Sequence, residues 1–287
     1  MCDDDIHQGL TYDPTVSRRA FGLMAVASAG IASAARAAQK VVERDVEVKT
    51  PDGVADAALF YPEGQGTGPA VLIWPDVVSL RPVFREMGRR LAGEGYVVLV
   101  PNLYYRVKRA PVVESGFNFA NAEDRAKLTP MRASVTPEGT DRDSVAYLAF
   151  LDAQVQTDKT RKAGVQGYCM GGPLSVRTAA AVPDRIGAVA SFHGGGLHTE
   201  APTSPHLLLP RTKAEYLILV ADNDDKQDPQ AKENFRAALA AAGRPHKVEV
   251  YEGANHGWTV RGSQVYDEAA AERAWTELLA LYKRALV

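Results

Sequence analysis

A cysteine set among glycines, Gly167-Tyr168-Cys169-Met170-Gly171-Gly172, follows the apolar run AGVQG and precedes a stretch able to begin a helix. The G-x-C-x-G-G spacing is that of a nucleophile elbow, a strained strand-to-helix turn, with sulfur in place of a serine hydroxyl. Glycines 167, 171 and 172 suit such a turn because neighbouring backbones pass too close for a Cβ. A thiol with a pKa near ~8.5 is only a few per cent thiolate at neutral pH, so nucleophilic use demands a base and an orienting acid. The amino terminus of the following helix would add stabilisation of negative charge. The competing use of Cys169 is as a small buried hydrophobe.

In an elbow of this kind the acid and then the base come later in the chain. The run ADNDD after YLILV and the run EGANHGW after KVEVY both stand at the ends of apolar stretches. His256 is the expected base, since imidazole titrates near neutrality and Gly257 lets its loop bend toward the thiol. His193, closing GAVASFHGGG, reaches the same edge and stands as the rival base or a pocket residue. Among Asp222, Asp224, Asp225 and Asp228, Asp224 is the expected partner of the imidazole and Asp222 the reserve.

These residues need a scaffold that gathers loops at one edge. From Val41 onward, short β-rich runs alternate with amphipathic stretches, which indicates an α/β fold with a mostly parallel central sheet and helices on both faces. Residues 42–50 and 56–62 flank the turn signal PDG and read as an antiparallel hairpin at the N-terminal edge. Buried strands are expected at 70–74, 96–100, 163–167, 187–192, 216–220 and 247–251, because continuous apolar runs suit strands covered on both faces. Helices are expected at 81–95, after Cys169, at 141–153, at 231–242 and at 266–286. Their apolar stripes include Val83, Met87 and Leu91 in the first, Val145, Leu148 and Leu151 at 141–153, and Ala271, Trp275, Leu278, Leu279 and Tyr282 in the last. Residues 106–140 are the least regular and read as a lid or pocket wall. Ligands of an open parallel sheet gather beyond the carboxyl ends of its strands, where Cys169, Asp224 and His256 all fall.

The first 37 residues are different. Arg18-Arg19 precede a weakly apolar Ala-, Gly- and Ser-rich stretch and small residues around Arg36, the layout of a twin-arginine export signal. A periplasmic protein beginning near Ala38, with one domain over 38–287, is expected. Of the two cysteines, Cys2 would leave with the signal, so Cys169 would be the one thiol and no internal disulfide could form. The stretch falls short of the ~20 apolar residues of a membrane span. A formal charge of −2 with no dense basic block speaks against nucleic-acid binding. There is no paired cysteine, no HExxH, no phosphate-loop pattern and no G-x-G-x-x-G, so neither a metal nor a cofactor is expected. Monomer and small homo-oligomer both remain open.

Taken together, VQGYCMGG, the ADNDD and NHGW loops and WPDVVSLRPVFREMGRRLAGEGYVVLVPNLYYR resemble the dienelactone hydrolase family of α/β-hydrolases, also called carboxymethylenebutenolidases. The resemblance runs from about Val41 to the end. It implies a Cys169-Asp224-His256 triad that opens enol-lactones or related esters through an acyl-thioester. It implies an oxyanion hole from the backbone NH groups of Met170 and Val77, and an acid near the thiol, here Asp76, that restrains its ionisation. Family members carry glutamate at this last position, one methylene longer. Arginines that grip a substrate carboxylate are implied as well, with Arg106, Arg125 and Arg261 as candidates. A pocket for simple esters rimmed by Tyr105 and Trp258 is equally compatible. The alternative is a non-catalytic relative that binds a ligand or partner.

Overall fold

The computed structural model describes residues 39–64, 66–114 and 116–287. The export-signal reading of residues 1–37 lies outside the described residues. Eight strands form one sheet in the order β1-β2-β4-β3-β5-β6-β7-β8. The hairpin β1 (Val41–Thr50) and β2 (Gly53–Pro62) is antiparallel, and β2 meets β4 (Val97–Pro101) antiparallel. All remaining pairs are parallel, through β3 (Ala70–Trp74), β5 (Ala163–Tyr168), β6 (Ile186–Phe192), β7 (Glu215–Ala221) and β8 (His246–Tyr251). The expected strands are therefore present, shifted by a residue at some ends and, in β2, beginning three residues earlier, at Gly53.

The inner parallel strands are mainly apolar because both faces are covered, whereas β8, at the sheet edge, carries Lys247 and Glu249 and buries only Tyr251. In β3, Ala70, Leu72 and Trp74 enter one core while Val71 and Ile73 enter the other. The first core packs α3 (Pro137–Asp152), α4 (Gly171–Ala181) and α6 (Pro229–Ala241) through Tyr147, Leu148, Val176, Phe235 and Leu239. The second packs α1 (Pro82–Gly93) and α7 (Glu268–Ala285) through Phe84, Leu91, Leu278 and Tyr282. Helix starts follow local chemistry. Thr136 caps α3 ahead of Pro137, and Asp228 caps α6 ahead of Pro229, each accepting orphan backbone NH groups.

Three expectations need correction. Helix α3 begins four residues earlier than 141 and leaves Val145 about half exposed, because Ser144, Tyr147, Leu148 and Leu151 form its inner face. On α1 the inner face is Phe84, Gly88, Leu91 and Ala92, with Val83 and Met87 at its margin. The irregular segment contains a helix, α2 (Ala122–Ala133), whose Leu128 and Met131 join Phe117 and Phe119 in the first core, together with Val77, Val78 and Tyr104. These side chains make the segment a wall on that side of the sheet.

Candidate active site

The strand order reverses between β3 and its neighbours, β4 on one side and β5 on the other, so the loops leaving β3 and β5 meet at a topological switch point. Trp74 pairs with Gly167, and the two loops beyond are in backbone contact. A Cβ on Gly171 would lie 2.3 Å from the Trp74 carbonyl oxygen, and one on Gly167 would lie 1.9 Å from that of Gly171. Both positions therefore require glycine. Between them Cys169 has φ +52°, the left-handed region that L-residues avoid at a cost of about 1–2 kcal/mol. Its NH donates to Phe192 O at 3.1 Å and its carbonyl accepts from Gly172 N at 3.0 Å. The sulfur is thus carried on a strained, pinned turn at the start of α4, and the residue is 8 % exposed.

The ends of β7 and β8 supply the ionisable groups. The run ADNDD forms a short helix, α5 (Asp222–Gln227), where the sequence suggested only a loop. Its acids lie in the first turn, which suits the helix dipole. Helical geometry separates the four aspartates. Asp222 pairs with Lys226, Asp225 with Lys232, and Asp228 caps α6. Asp224 alone turns to His256, accepting from Nδ1 at 2.7 Å. Asn223 Oδ1 accepts the His256 backbone NH at 2.7 Å and holds the same loop.

His256 is 5 % exposed, and its Nε2 is buried without a hydrogen bond of ordinary length and angle. Burial disfavours the imidazolium, yet the charge of Cys169, then the Asp224 hydrogen bond, then a looser polar contact with Cys169 outweigh it. Together they hold the imidazole pKa well above 6.5. Sulfur, imidazole and carboxylate thus interact in the order Cys169, His256, Asp224.

His193 lies behind this array. Its ring centroid is 4.9 Å from that of His256, and its Nε2 pairs with Thr259 Oγ1 at 2.8 Å. Burial first, then the neighbouring His256, push its pKa well below 6.5, which favours a neutral ring packed against His256. Trp258 is fully buried, edge-on to His193 and stacked on Tyr251, which removes it from the pocket rim.

The loop after β3 is held by a buried polar network. Asp76, 1 % exposed, takes both guanidinium nitrogens of Arg81 at 2.6 and 2.7 Å and the Val78 NH at 2.9 Å. The acid expected to restrain the thiol therefore spends its carboxylate on Arg81 and its own loop. Ser79, at φ +62°, returns its NH to the Asp76 carbonyl at 2.8 Å. Tyr104 OH donates to Val77 O at 2.7 Å and lies 3.9 Å from Met170 Sδ.

The remaining candidates are drawn elsewhere. Tyr105 OH bonds Thr50 and Asp143, each at 2.7 Å, and Arg106 is shared between Asp143 and Asp52. Both belong to a cluster that ties the β1–β2 turn to α3. Arg125 binds the carbonyls of Phe119 and Ala120, each at 3.0 Å. Arg261 stands over the Tyr266 ring and lines a cavity of about 240 Å³ between α1 and α7, beside Tyr168, Phe192 and Trp275. Neither Cys169 nor His256 borders that cavity. The sequence reading did not single out Arg81, Tyr104, Asn223 and Thr259. PNLYYR and ADNDD did mark the right segments, one residue away from Tyr104 and Asn223.

The dienelactone hydrolase family model matches residues 55–286. A provisionally named carboxymethylenebutenolidase of Synechocystis sp. is 29 % identical over 231 residues, covering 79 % of this chain and 91 % of the relative. The carboxymethylenebutenolidase of Rhodococcus opacus is 25 % identical over 241 residues, covering 83 % and 90 %. A provisionally named dienelactone hydrolase of Klebsiella pneumoniae superposes with a TM-score of 0.74 at 21 % identity, covering 85 % of this chain and 99 % of that one, a likeness of fold. Because the matched region runs from the second strand through the last helix and takes in the elbow and both later loops, the chain belongs to the dienelactone hydrolase family, hydrolases of lactones and esters built on the α/β-hydrolase fold.

Proposed function

We propose that the protein hydrolyses small lactones or carboxylic esters through a thioester on Cys169. The observation that carries this reading is the His256 imidazole, held by Asp224 at 2.7 Å through Nδ1 and electrostatically engaged with Cys169 on its other side. The thiolate sulfur attacks the carbonyl carbon, and the C–S bond forms as the carbonyl π pair moves onto oxygen. The backbone NH groups of Val77 and Met170 receive that oxyanion. Collapse breaks the bond to the leaving oxygen, which takes the proton from His256 Nε2. Water then enters, His256 removes its proton, and a second tetrahedral species releases the acid and returns the sulfur as thiolate. Asp224 holds the tautomer and stabilises the imidazolium in both halves. The engagement of Arg106 and Arg125 in protein contacts favours neutral esters and lactones over substrates selected by a carboxylate. In the test, Cys169→Ala abolishes turnover of p-nitrophenyl acetate while the thermal transition is retained. Iodoacetamide alkylates Cys169 stoichiometrically, and His256→Ala suppresses that alkylation. Undiminished turnover in Cys169→Ala would overturn the mechanism, and an inert thiol would favour a binding protein.

A further inference from the structure

We infer that Tyr104 is a positioning residue for the oxyanion hole, its hydroxyl locking the Val77 peptide so that the Val77 NH faces the reacting carbonyl. The inference rests on the thioester reading above and concerns how its transition state is held.

Two peptide units meet at Val77, and each is fixed at a different atom. The Asp76 carbonyl accepts the Ser79 NH at 2.8 Å, which leaves the NH of that same peptide, on Val77, directed the opposite way. The next peptide is gripped at both ends, its NH on Val78 by Asp76 Oδ1 at 2.9 Å and its carbonyl on Val77 by Tyr104 OH at 2.7 Å. Without the hydroxyl, that peptide is held only through its Val78 NH, and the Val77 NH, on the preceding peptide, is aimed by the bond between the Asp76 carbonyl and the Ser79 NH alone. The same hydroxyl lies 3.9 Å from Sδ of Met170, the residue offering the other NH, so one side chain touches both walls of the hole.

Tyr104 is in turn held by backbone. Asn102 Oδ1 accepts the Tyr104 NH at 3.0 Å and the Ser79 hydroxyl at 2.9 Å, and Ser79 Oγ accepts the Leu103 NH at 2.8 Å. Asn102 Nδ2 donates to Asp56 Oδ1 at 2.9 Å. This chain joins the loop after β3 to the loop after β4. Tyr104 is fully buried, so it does not touch substrate. Burial, followed by the charges of Asp76 and Cys169, raises its phenol well above the ordinary value, which keeps the hydroxyl a donor throughout the range in which the site works.

The test separates reactions that do and do not develop an oxyanion. Acylation of Cys169 by p-nitrophenyl acetate passes through a tetrahedral oxyanion, whereas alkylation by iodoacetamide is a displacement at saturated carbon and does not. Losing one oxyanion donor outright costs about 100- to 1,000-fold, so mis-aiming one predicts a drop of about tenfold or more in the single-turnover acylation rate of Tyr104→Phe. The alkylation rate stays within about twofold of wild type, and KM is little changed, as expected for an interaction realised only in the transition state. Ser144→Ala, which removes a buried hydroxyl bonded to Thr140 and Thr178, serves as the control for general loosening and retains both rates. Should Tyr104→Phe fail to fold, Ser79→Gly suits the left-handed backbone, removes the link to Leu103 and Asn102, and predicts the same split. Equal losses in both reactions, or no loss in either, would overturn the inference. A wild-type protein that alkylates but is never acylated would overturn the thioester reading, and this inference with it.

Discussion

Replacing Asp224 by asparagine tests the interaction on which the base depends. The carboxylate accepts from His256 Nδ1 at 2.7 Å, and its side chain is 26 % exposed. Hydrogen bonds to charged groups contribute about 1.5–3 kcal/mol, and the partial exposure argues for the lower part of that range, about 1.5–2 kcal/mol. If the bond strengthens fully as the imidazolium forms, kcat/KM falls by about 10- to 30-fold. An asparagine that presents its NH2 to Nδ1 would also reverse the tautomer and leave no lone pair facing sulfur, deepening the loss. The pH profile carries a second signature. Asp224 is one of the influences that hold the imidazole above 6.5. Removing it lowers that pKa, so the acid limb of thioester hydrolysis, along which His256 loses its proton and becomes able to activate water as pH rises, moves to lower pH. Steady-state hydrolysis of p-nitrophenyl acetate between about pH 5 and 9 measures both. Asp222→Asn provides the contrast, since Asp222 is paired with Lys226 and its loss leaves rate and limb unchanged. An Asp224→Asn enzyme with wild-type kcat/KM and an unmoved acid limb would refute the reasoning.

Arg81→Met leaves the Asp76 carboxylate buried without its ionic partner, which predicts a loss of about 3–5 kcal/mol and a Tm lower by roughly 6–20 °C. Thermal denaturation reads it, and a shift below about 2 °C would show that the pair adds little to stability. Gly167→Ala drives a Cβ to 1.9 Å from a backbone oxygen and is expected to destabilise by more than about 3 kcal/mol. Gly93→Ala, where the Cβ meets open space at the end of α1, is instead neutral or stabilising by up to about 1 kcal/mol in chemical denaturation. Arg106→Ala lowers Tm by removing the ionic partner of Asp143, while Asp52 keeps Arg142, but leaves the ratio of kcat/KM for a carboxylate-bearing lactone over a neutral ester unchanged.

The strands and most helices were legible because they are local patterns. AVLIW and YLILV announce buried parallel strands by composition alone, whereas α3 and α6 start at Pro137 and Pro229, ahead of the expected 141 and 231, because the first helical turn carries a proline and a polar cap rather than an apolar stripe. The exposed Val145 shows the limit, since a three-residue stripe on one helix fits more than one inner face until the sheet selects one. Helix α2 was hidden because Pro130 interrupts it and its apolar face is narrow.

By itself the sequence determined the α/β class, the turn at Cys169, and the loops that carry Asp224 and His256, since each depends on residues adjacent in the chain. Only the tertiary structure decided which aspartate reaches the imidazole, that Asp76 belongs to Arg81, and that Tyr104 rather than Tyr105 turns into the site. Those choices are made by distances between strand ends brought together across the sheet. A side chain's partner there depends on the direction in which its backbone leaves the strand, and packing from elements far away in the chain sets that direction.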